Sequence, residues 1–170
     1  TITDADGDSA SSSATVSINA LPDPVADTFV TDEDTPLPID LIGNDDTGDG
    51  LGTLTIAALP APALGTLTYT NASGSVVPVV AGTPLSPSEA ATIVFSPAAD
   101  VSGVVPPLSY TITDLSGDSA SSTFSITIDA VPDPIDDTLT TPEDTPVAIN
   151  VLDDNVAGAD DPGSGLGSVR

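Results

Sequence analysis

The sequence lacks most of the side chains on which enzymes rely. It contains no His, Cys, Met, Trp or Lys, and its one cationic residue is Arg170. These absences exclude a Ser-His-Asp triad, a thiol nucleophile, a Schiff-base lysine, a disulfide and a metal held by His or Cys. A nucleic-acid partner is not expected either, because phosphate recognition requires Lys and Arg side chains.

Carboxylates dominate what remains. The 170 residues include 26 Asp and Glu, all but Glu33, Glu89 and Glu143 being Asp, and the net charge is −25. So many like charges repel one another unless something neutralises them. Two interpretations are open. The acids are either a solubility device for a salty medium or ligands of bound Ca²⁺, for which Asp is a common loop ligand.

The composition nevertheless indicates a folded protein. Leu, Ile, Val and Phe make up about 26% of the chain, above the level typical of disordered sequences, and the mean hydropathy is +0.21. No apolar run approaches the roughly 18 residues that a membrane helix needs, so no membrane insertion is expected. The chain starts in the strand-like Thr1-Ile-Thr without a leader segment, and we therefore expect it to be a fragment of a longer protein.

An internal repeat organises the chain. Residues 1–42 align without a gap on residues 111–152, with 23 identities in 42 positions and a period of 110 residues. Pro22-Asp-Pro and Pro132-Asp-Pro mark the junctions, where proline stiffens the linker. A period of this size matches an independent domain. The predicted units are the C-terminal strands of a preceding repeat (1–22), a complete repeat (23–132) and the N-terminal part of a following repeat (133–170).

Apolar and polar residues in the complete repeat alternate with the period of two that is typical of β-strands. Seven or so short strands are predicted, a number typical of an immunoglobulin-like sandwich, and Pro87-Ser-Glu-Ala-Ala predicts one helical turn. The predicted strands are A (25–31), B (37–42), C (51–57), a hairpin (65–70 and 76–80), E (91–95), F (108–113) and G (120–128).

The acidic residues are concentrated in particular segments. Residues 23–49 contain nine of them and residues 50–88 contain none. A solubility coat would cover every exposed surface, so this distribution favours binding sites.

Strand topology predicts where these acids meet. If the strands alternate in direction, Asp23 and the loops 44–49 and 114–118 share one end of the sandwich, and Glu33, Asp34 and Asp129 share the other. In head-to-tail repeats these opposite ends meet and would provide enough oxygen for at least one Ca²⁺. At the second junction, Glu33, Asp34 and Asp129 would face Asp133, Asp153, Asp154 and Asn155.

Several short motifs carry the candidate ligands. Asp4-Ala-Asp-Gly-Asp resembles the opening of an EF-hand loop, but no helices flank it, and its copy at Asp114 has Ser116 in the middle. Asp and Gly also form tight turns by backbone preference, so a purely structural turn remains the alternative. The predicted Ca²⁺ ligands are Asp4, Asp6, Asp8, Asp23, Glu33, Asp34, Asn44, Asp45, Asp46, Asp114, Asp118, Asp129, Asp133, Glu143, Asp144, Asp153 and Asp154.

In their order along the chain, these motifs resemble a known family. Glu33-Asp-Thr-Pro, Asn44-Asp-Asp, Gly65-Thr-Leu, Phe95-Ser-Pro-Ala-Ala-Asp and Tyr110-Thr-Ile-Thr-Asp are similar to the cadherin-like tandem-repeat domains of giant bacterial surface adhesins. Many of those adhesins are of the repeats-in-toxin, type I secreted kind. The resemblance implies an all-β fold of immunoglobulin/cadherin-like β-sandwich repeats in tandem. It also implies Ca²⁺ at or near the junctions and a secreted or cell-surface location on a Gram-negative bacterium.

Three functions can be compared on these grounds. Near-identical repeats favour a calcium-rigidified extender, which holds a distal binding region of the adhesin away from the cell. Its partners would be neighbouring repeats of the same chain, with a host or biofilm glycan or protein bound elsewhere in the parent protein. The alternative is a calcium-dependent carbohydrate- or protein-binding module, which an exposed Tyr69 would favour. An enzyme is not expected, because the acids recur in turns at equivalent repeat positions.

Overall fold

The computed structural model describes residues 1–134, 139–148, 150 and 161–165. Within these ranges the chain forms strands of two to twelve residues and one helical turn. The elements are β1 (Ile2–Thr3), β2 (Ser9–Ala10), β3 (Pro22–Asp23), β4 (Asp27–Asp32), β5 (Leu37–Pro38), β6 (Asp46–Thr47), β7 (Leu51–Ile56), β8 (Gly65–Thr70), β9 (Val76–Pro78), β10 (Pro84–Leu85), α1 (Pro87–Ala90), β11 (Val94–Pro97), β12 (Gly103–Asp114), β13 (Ser119–Asp129), β14 (Pro132–Asp133) and β15 (Asp161–Pro162).

Two sheets pack face to face in the complete repeat. The larger sheet has the strand order β10-β7-β12-β13-β4, and the smaller has the order β5-β11-β8-β9. Every described strand pair is antiparallel except β13 and β4, which run parallel from Phe124 beside Asp27 to Asp129 beside Asp32. Pro38, Pro78 and Pro84 lie in the other three edge strands, where the missing N–H discourages pairing with another sheet. The prediction of an all-β sandwich is confirmed.

The core between the sheets is aliphatic, with one aromatic cluster. Alternate side chains of β12 and β13 point inward, so Tyr110, Ile112, Phe124 and Ile126 are at most 1% exposed. The Phe124 ring lies 6.5 Å from that of Phe29 and 6.3 Å from that of Tyr110, at steep interplanar angles. Burying one such apolar side chain contributes about 1.5–3 kcal/mol, so this strand pair anchors the fold.

The hairpin of β1 and β2 pairs its hydroxyl side chains across the strands as its copy in the sequence, the β12–β13 hairpin, does. Thr3 and Ser9 pair their hydroxyls at 2.7 Å, and Thr113 and Ser119 pair theirs at 2.8 Å. Residues 11–21 form no strand.

Two predicted strands differ from the structure. Strand B shrinks to β5, because the chain turns after Ile39, where the Asp40 carboxylate accepts a hydrogen bond from the Ile42 N–H. Strand E starts at Val94 rather than at residue 91, because residues 91–93 form a turn after α1, in which their N–H groups donate to the carbonyls of residues 87, 89 and 90. The helical turn itself forms as predicted, with Glu89 closing a capping box on Ser86. No helix in the described ranges is long and apolar enough to span a membrane.

Candidate functional site

Most acidic residues of the complete repeat lie at its two ends. We call the first the leading end, which comprises the incoming linker (19–25), the loop 44–50 and the turn 114–118. We call the second the trailing end, which comprises residues 33–34, 100 and 129–131. The chain enters the repeat at the leading end and leaves it at the trailing end.

The linker is held by the loop of the repeat that follows it. β3 pairs with β6, so that Pro22 lies opposite Thr47 and Asp23 opposite Asp46. The Val25 N–H also donates a 2.6 Å hydrogen bond to the Asp45 carboxylate. The second linker repeats the arrangement, because β14 pairs with β15 and places Asp133 opposite Asp161. Each linker is therefore attached to the repeat on its C-terminal side.

Asp114 closes the turn at the leading end and is only 3% exposed. Its Oδ1 atom accepts four hydrogen bonds of 2.8–2.9 Å, from the N–H and hydroxyl of Ser116 and from the N–H groups of Gly117 and Asp118. Burial raises the pKa of Asp114, but these hydrogen bonds more than offset burial, so the pKa lies below its ordinary value. The second oxygen, Oδ2, is buried and has no hydrogen-bond partner.

Gly48 brings the loop against both the linker and this turn. It adopts a φ of +65°, and a Cβ placed on it would stand 2.9 Å from Asp114 Oδ2 and 2.8 Å from the Ala20 carbonyl oxygen. Only glycine fits such a position. Gly163, with a φ of +67°, makes the same approach to the second linker, at Val131 and Pro132. The contact of glycine with linker therefore recurs at both junctions.

A buried tyrosine hydroxyl is surrounded by three acceptors beside the linker. Tyr110 Oη lies 3.0 Å from the Val25 carbonyl oxygen, 3.2 Å from Asp27 Oδ2 and 2.8 Å from Asp45 Oδ2. Burial, followed by the hydrogen bond to Asp45, raises the pKa of Tyr110 far above its ordinary value, so the hydroxyl keeps its proton. One proton thus serves three oxygens. For Asp27, burial is the largest cause of a raised pKa, and the Asp45 charge adds to it.

The substitution Asp27→Asn is expected to stabilise the chain at pH 7 by up to about 1 kcal/mol, a modest effect because the side chain is partly exposed. The amide provides a second donor to the cluster. Since the folded-state pKa of Asp27 is raised, its proton stabilises the fold below the unfolded-state pKa, and this contribution is lost as pH rises through the folded-state pKa. The difference in unfolding free energy between variant and wild type should therefore shrink as pH falls towards 4. Urea unfolding in EDTA at several pH values measures it, and a difference that grows on acidification contradicts the prediction.

Glu33 occupies the trailing end and is 4% exposed. Its Oε1 atom accepts a 2.7 Å hydrogen bond from the Val131 N–H of the outgoing linker, and its own N–H donates to the Asp129 carbonyl at 2.9 Å. Its Oε2 atom is buried without a hydrogen-bond partner. Asp34 lies beside it at a φ of +57° and accepts a hydrogen bond from the Asp100 N–H.

Asp4, Asp6 and Asp8 form the one group of three carboxylates in the described ranges whose oxygens lie within 4.8 Å of one another. All three are exposed. Asp4 accepts hydrogen bonds from Asp6 and Asp8, which lower its pKa. In the later copy, Ser116 replaces the middle carboxylate and donates hydrogen bonds to both Asp114 and Asp118.

The remaining predicted ligands are dispersed. Asn44 lies beside Asp27, and Asp133 is exposed on the second linker. Glu143 and Asp144 form an exposed turn with the same hydroxyl-to-carbonyl hydrogen bond as its earlier copy, from Thr141 to Thr145. Asp153 and Asp154 lie outside the described residues.

Sequence reasoning missed several residues of the two ends. Asp27 is not among the predicted ligands because it lies within a predicted strand. Asn19, at 2.5 Å from the Asp118 carboxylate, and Asp49, which accepts from the Ala20 N–H, were not selected as ligands. Asp161 was missed because the loop of the third repeat is longer than the ungapped alignment assumed, although the shared Gly-Leu-Gly after each loop could have revealed the shift.

The aromatic side chains offer no exposed platform for a sugar. Tyr69 packs against the core and is partly buried, as is Phe29, and the other three aromatic side chains are fully buried. The carbohydrate-binding alternative would be favoured by an exposed Tyr69, and Tyr69 is partly buried.

A comparison of the sequence with known protein families supports the immunoglobulin-like sandwich. Residues 19–127, more than half of the chain, match the family described as bacterial Ig domain. The chain belongs to this family. Bacterial Ig domains are typically extracellular or surface domains with a structural, non-catalytic role, and this one is an extender or adhesion module of a surface protein. Comparisons with curated proteins and with solved structures gave no match. The matched range of the bacterial Ig domain includes Asn19 and Ala20 of the incoming linker.

Proposed function

We propose that this bacterial Ig domain is an extender repeat of a large, secreted surface adhesin of a Gram-negative bacterium, and that Ca²⁺ bound where successive repeats meet stiffens the stalk. In this proposal the domain is cadherin-like in its use of calcium, and the parent protein is of the repeats-in-toxin kind. The adhesive contact with a host or biofilm glycan or protein is made elsewhere in the parent protein.

The observation that carries the proposal is the buried, unpaired oxygen of Glu33 at the trailing end. A buried carboxylate oxygen without a donor costs free energy, and a cation removes that cost. Glu33 also holds the outgoing linker through Val131, so an ion on its free oxygen would lie where the next repeat begins. Asp129 and Asp133 flank the same linker and could complete the coordination.

The mechanism is electrostatic. Without metal, the acids at each junction repel one another and leave the angle between repeats free. Calcium neutralises them and ties two repeats to one ion. Binding to the folded state alone stabilises by about 2.7 kcal/mol at a hundredfold excess over Kd. Sites with Kd of order 10⁻⁴–10⁻³ M would stay empty in the cytoplasm and fill outside the cell, so that the chain could be exported unfolded.

The substitution Glu33→Gln tests this mechanism on the 170-residue chain. The amide keeps an oxygen for the Val131 N–H and replaces the unpaired oxygen with a neutral donor. In EDTA the variant should melt at or above the wild-type temperature. In millimolar Ca²⁺, the wild type should gain several degrees, and the variant should lose most of that gain.

Far-UV circular dichroism melting measures both effects. Matched Mg²⁺ separates calcium binding from general charge screening, and Glu89→Gln makes the same charge change on α1, outside the residues that define the two ends. Equal wild-type melting in EDTA, Ca²⁺ and Mg²⁺ contradicts the calcium mechanism. The acids would then be a solubility device.

A further inference from the structure

We propose that the open edge of β4 binds an extended, basic strand of another protein, which continues the larger sheet by one strand. This edge lies along the side of the repeat, and its use does not depend on bound calcium. It would give an extender a lateral contact in addition to its contacts with neighbouring repeats.

β4 differs from the other three strands at the sheet edges. Those strands, β5, β9 and β10, are two or three residues long and each contains a proline, and both properties discourage pairing with another strand. β4 spans six residues, Asp27–Asp32, without a proline, and among the described residues it pairs on one side only, with β13. It is therefore the edge that can accept a further strand.

The pairing with β13 identifies the backbone groups on the open side of β4. The Glu33 N–H, directly after β4, donates to the carbonyl of the last residue of β13 at 2.9 Å. Since alternate residues of a strand bond to the same neighbour, Phe29 and Thr31 also bond to β13. Thr28 and Val30 then direct their N–H and C=O groups to the open side. Both residues are exposed, Val30 at 61%, so four backbone groups are available to a partner.

The charges beside this edge favour a basic partner. Asp32 and Asp129 lie directly opposite each other on neighbouring strands, and both are exposed. Like charges in that arrangement destabilise a sheet, and Arg170 is the only Lys or Arg side chain of the sequence that could offset them. A lysine or arginine of the added strand, placed opposite Asp32, would neutralise the pair.

The same acids disfavour a second copy of this chain as the partner. Antiparallel pairing of two β4 strands would place Asp27 and Asp32 of one copy beside Asp32 and Asp27 of the other. It would also bring together two chains that each carry a net charge of −25. Charged side chains on edge strands prevent this kind of self-association.

The geometry of the sheet specifies the sequence of the partner strand. In antiparallel pairing, which is the more stable kind, the residue opposite Phe29 has its Cβ about 4.5–5.5 Å from that of Phe29. Phe29 packs against the core but is only partly buried, so an apolar residue at this position would cover more of its ring. The residue opposite Asp32 comes three positions earlier in the partner, and this is where the basic side chain belongs.

A capped peptide of sequence Lys-Thr-Thr-Val-Thr-Ser tests the edge on the 170-residue chain, in EDTA and at low salt. It should bind with a Kd of order 10⁻⁴ M and shift the ¹⁵N amide signals of Thr28 and Val30. Methylating the two peptide nitrogens that face β4, at the residues opposite Thr28 and Val30, should abolish binding. Methylating the valine nitrogen, which faces away, should leave it intact. Replacing the lysine by glutamate should weaken binding by about tenfold.

Substitutions in the chain provide an independent test. Val30→Pro removes the outward N–H without removing a bond to β13, and it should weaken peptide binding by about tenfold. Val30→Thr keeps the N–H and should bind as the wild type does. Asp32→Asn should weaken binding, whereas Glu89→Gln, with the same charge change on α1, should not.

The methylated peptides apply the test to the wild-type chain, whose folding is unaltered. Binding that responds neither to the position of the methyl group nor to Val30→Pro overturns the proposal, since it would be charge adsorption alone. The absence of a saturable shift at millimolar peptide overturns it as well. A concentration-dependent dimer of the peptide-free chain that Val30→Pro abolishes would identify a second copy as the occupant of the edge and so overturn the basic strand.

Discussion

Replacing Phe124 by alanine is expected to lower the free energy of unfolding by about 3–5 kcal/mol. The chain has only three Phe and two Tyr, and Phe124 packs against two of the other four, Phe29 and Tyr110. The side chains around the ring are held by two sheets, so they cannot collapse into the space that the ring leaves. Since small domains are stable by about 5–15 kcal/mol, this change removes a large share of the total.

Urea unfolding followed by circular dichroism measures the loss. Val104→Ala is the matched control, because Val104 lies in the neighbouring strand β12 and is 63% exposed. That change should cost less than about 0.5 kcal/mol. Comparable losses in the two variants would contradict the packing described here.

Replacing Tyr110 by phenylalanine is expected to cost about 1.5–3 kcal/mol, the range for hydrogen bonds to charged groups. The ring keeps its place against Phe124, but the Val25 carbonyl and the carboxylates of Asp27 and Asp45 lose their common donor. The two carboxylates then face each other without an intervening proton. The effect should therefore be larger at neutral pH than at pH 4.

Tyr69→Phe provides the comparison, because the described residues offer the Tyr69 hydroxyl no hydrogen bond and the ring packs at the margin of the core. Urea unfolding of both variants in EDTA distinguishes a lost hydroxyl from a perturbed ring. Asp27→Asn should stabilise the Tyr110→Phe variant by more than it stabilises the wild type, because the amide replaces the missing donor. Additive effects would indicate that Asp27 and Tyr110 do not interact.

The fold was largely predictable from the sequence because most of its strands keep a strict two-residue alternation. Phe124, Ile126 and Ile128 are spaced for one face of a strand, and all three are buried. The start of strand E could not be predicted in the same way, because the sequence of residues 91–93 is as compatible with a strand as with the turn that forms. Local hydrogen bonds decided the outcome, because the N–H and hydroxyl of Thr92 both donate to the Glu89 carbonyl and continue the turn beyond α1.

The composition of the two ends was only partly predictable. Turn residues such as Asp114 and Glu33 stand out because each recurs in the sequence repeat. Strand direction then predicts which turns lie at the same end of the sandwich. The sequence gives no sign that one oxygen of each carboxylate is unpaired, because that depends on burial and on which atoms the turn occupies. Nor does it indicate that Tyr110 reaches the linker, since an inward-facing tyrosine in a strand resembles any other core residue.

The parallel pairing of β4 and β13 has a mechanical consequence for an extender. The incoming linker leads into β4 at the leading end, and the outgoing linker leaves β13 at the trailing end. Tension applied through the two linkers therefore pulls these neighbouring strands lengthwise in opposite directions. The hydrogen bonds of all six residue pairs, from Phe124 beside Asp27 to Asp129 beside Asp32, share the load and must break together. A repeat loaded in shear in this way resists extension much better than a hairpin peeled open from one end, whose hydrogen bonds break one at a time.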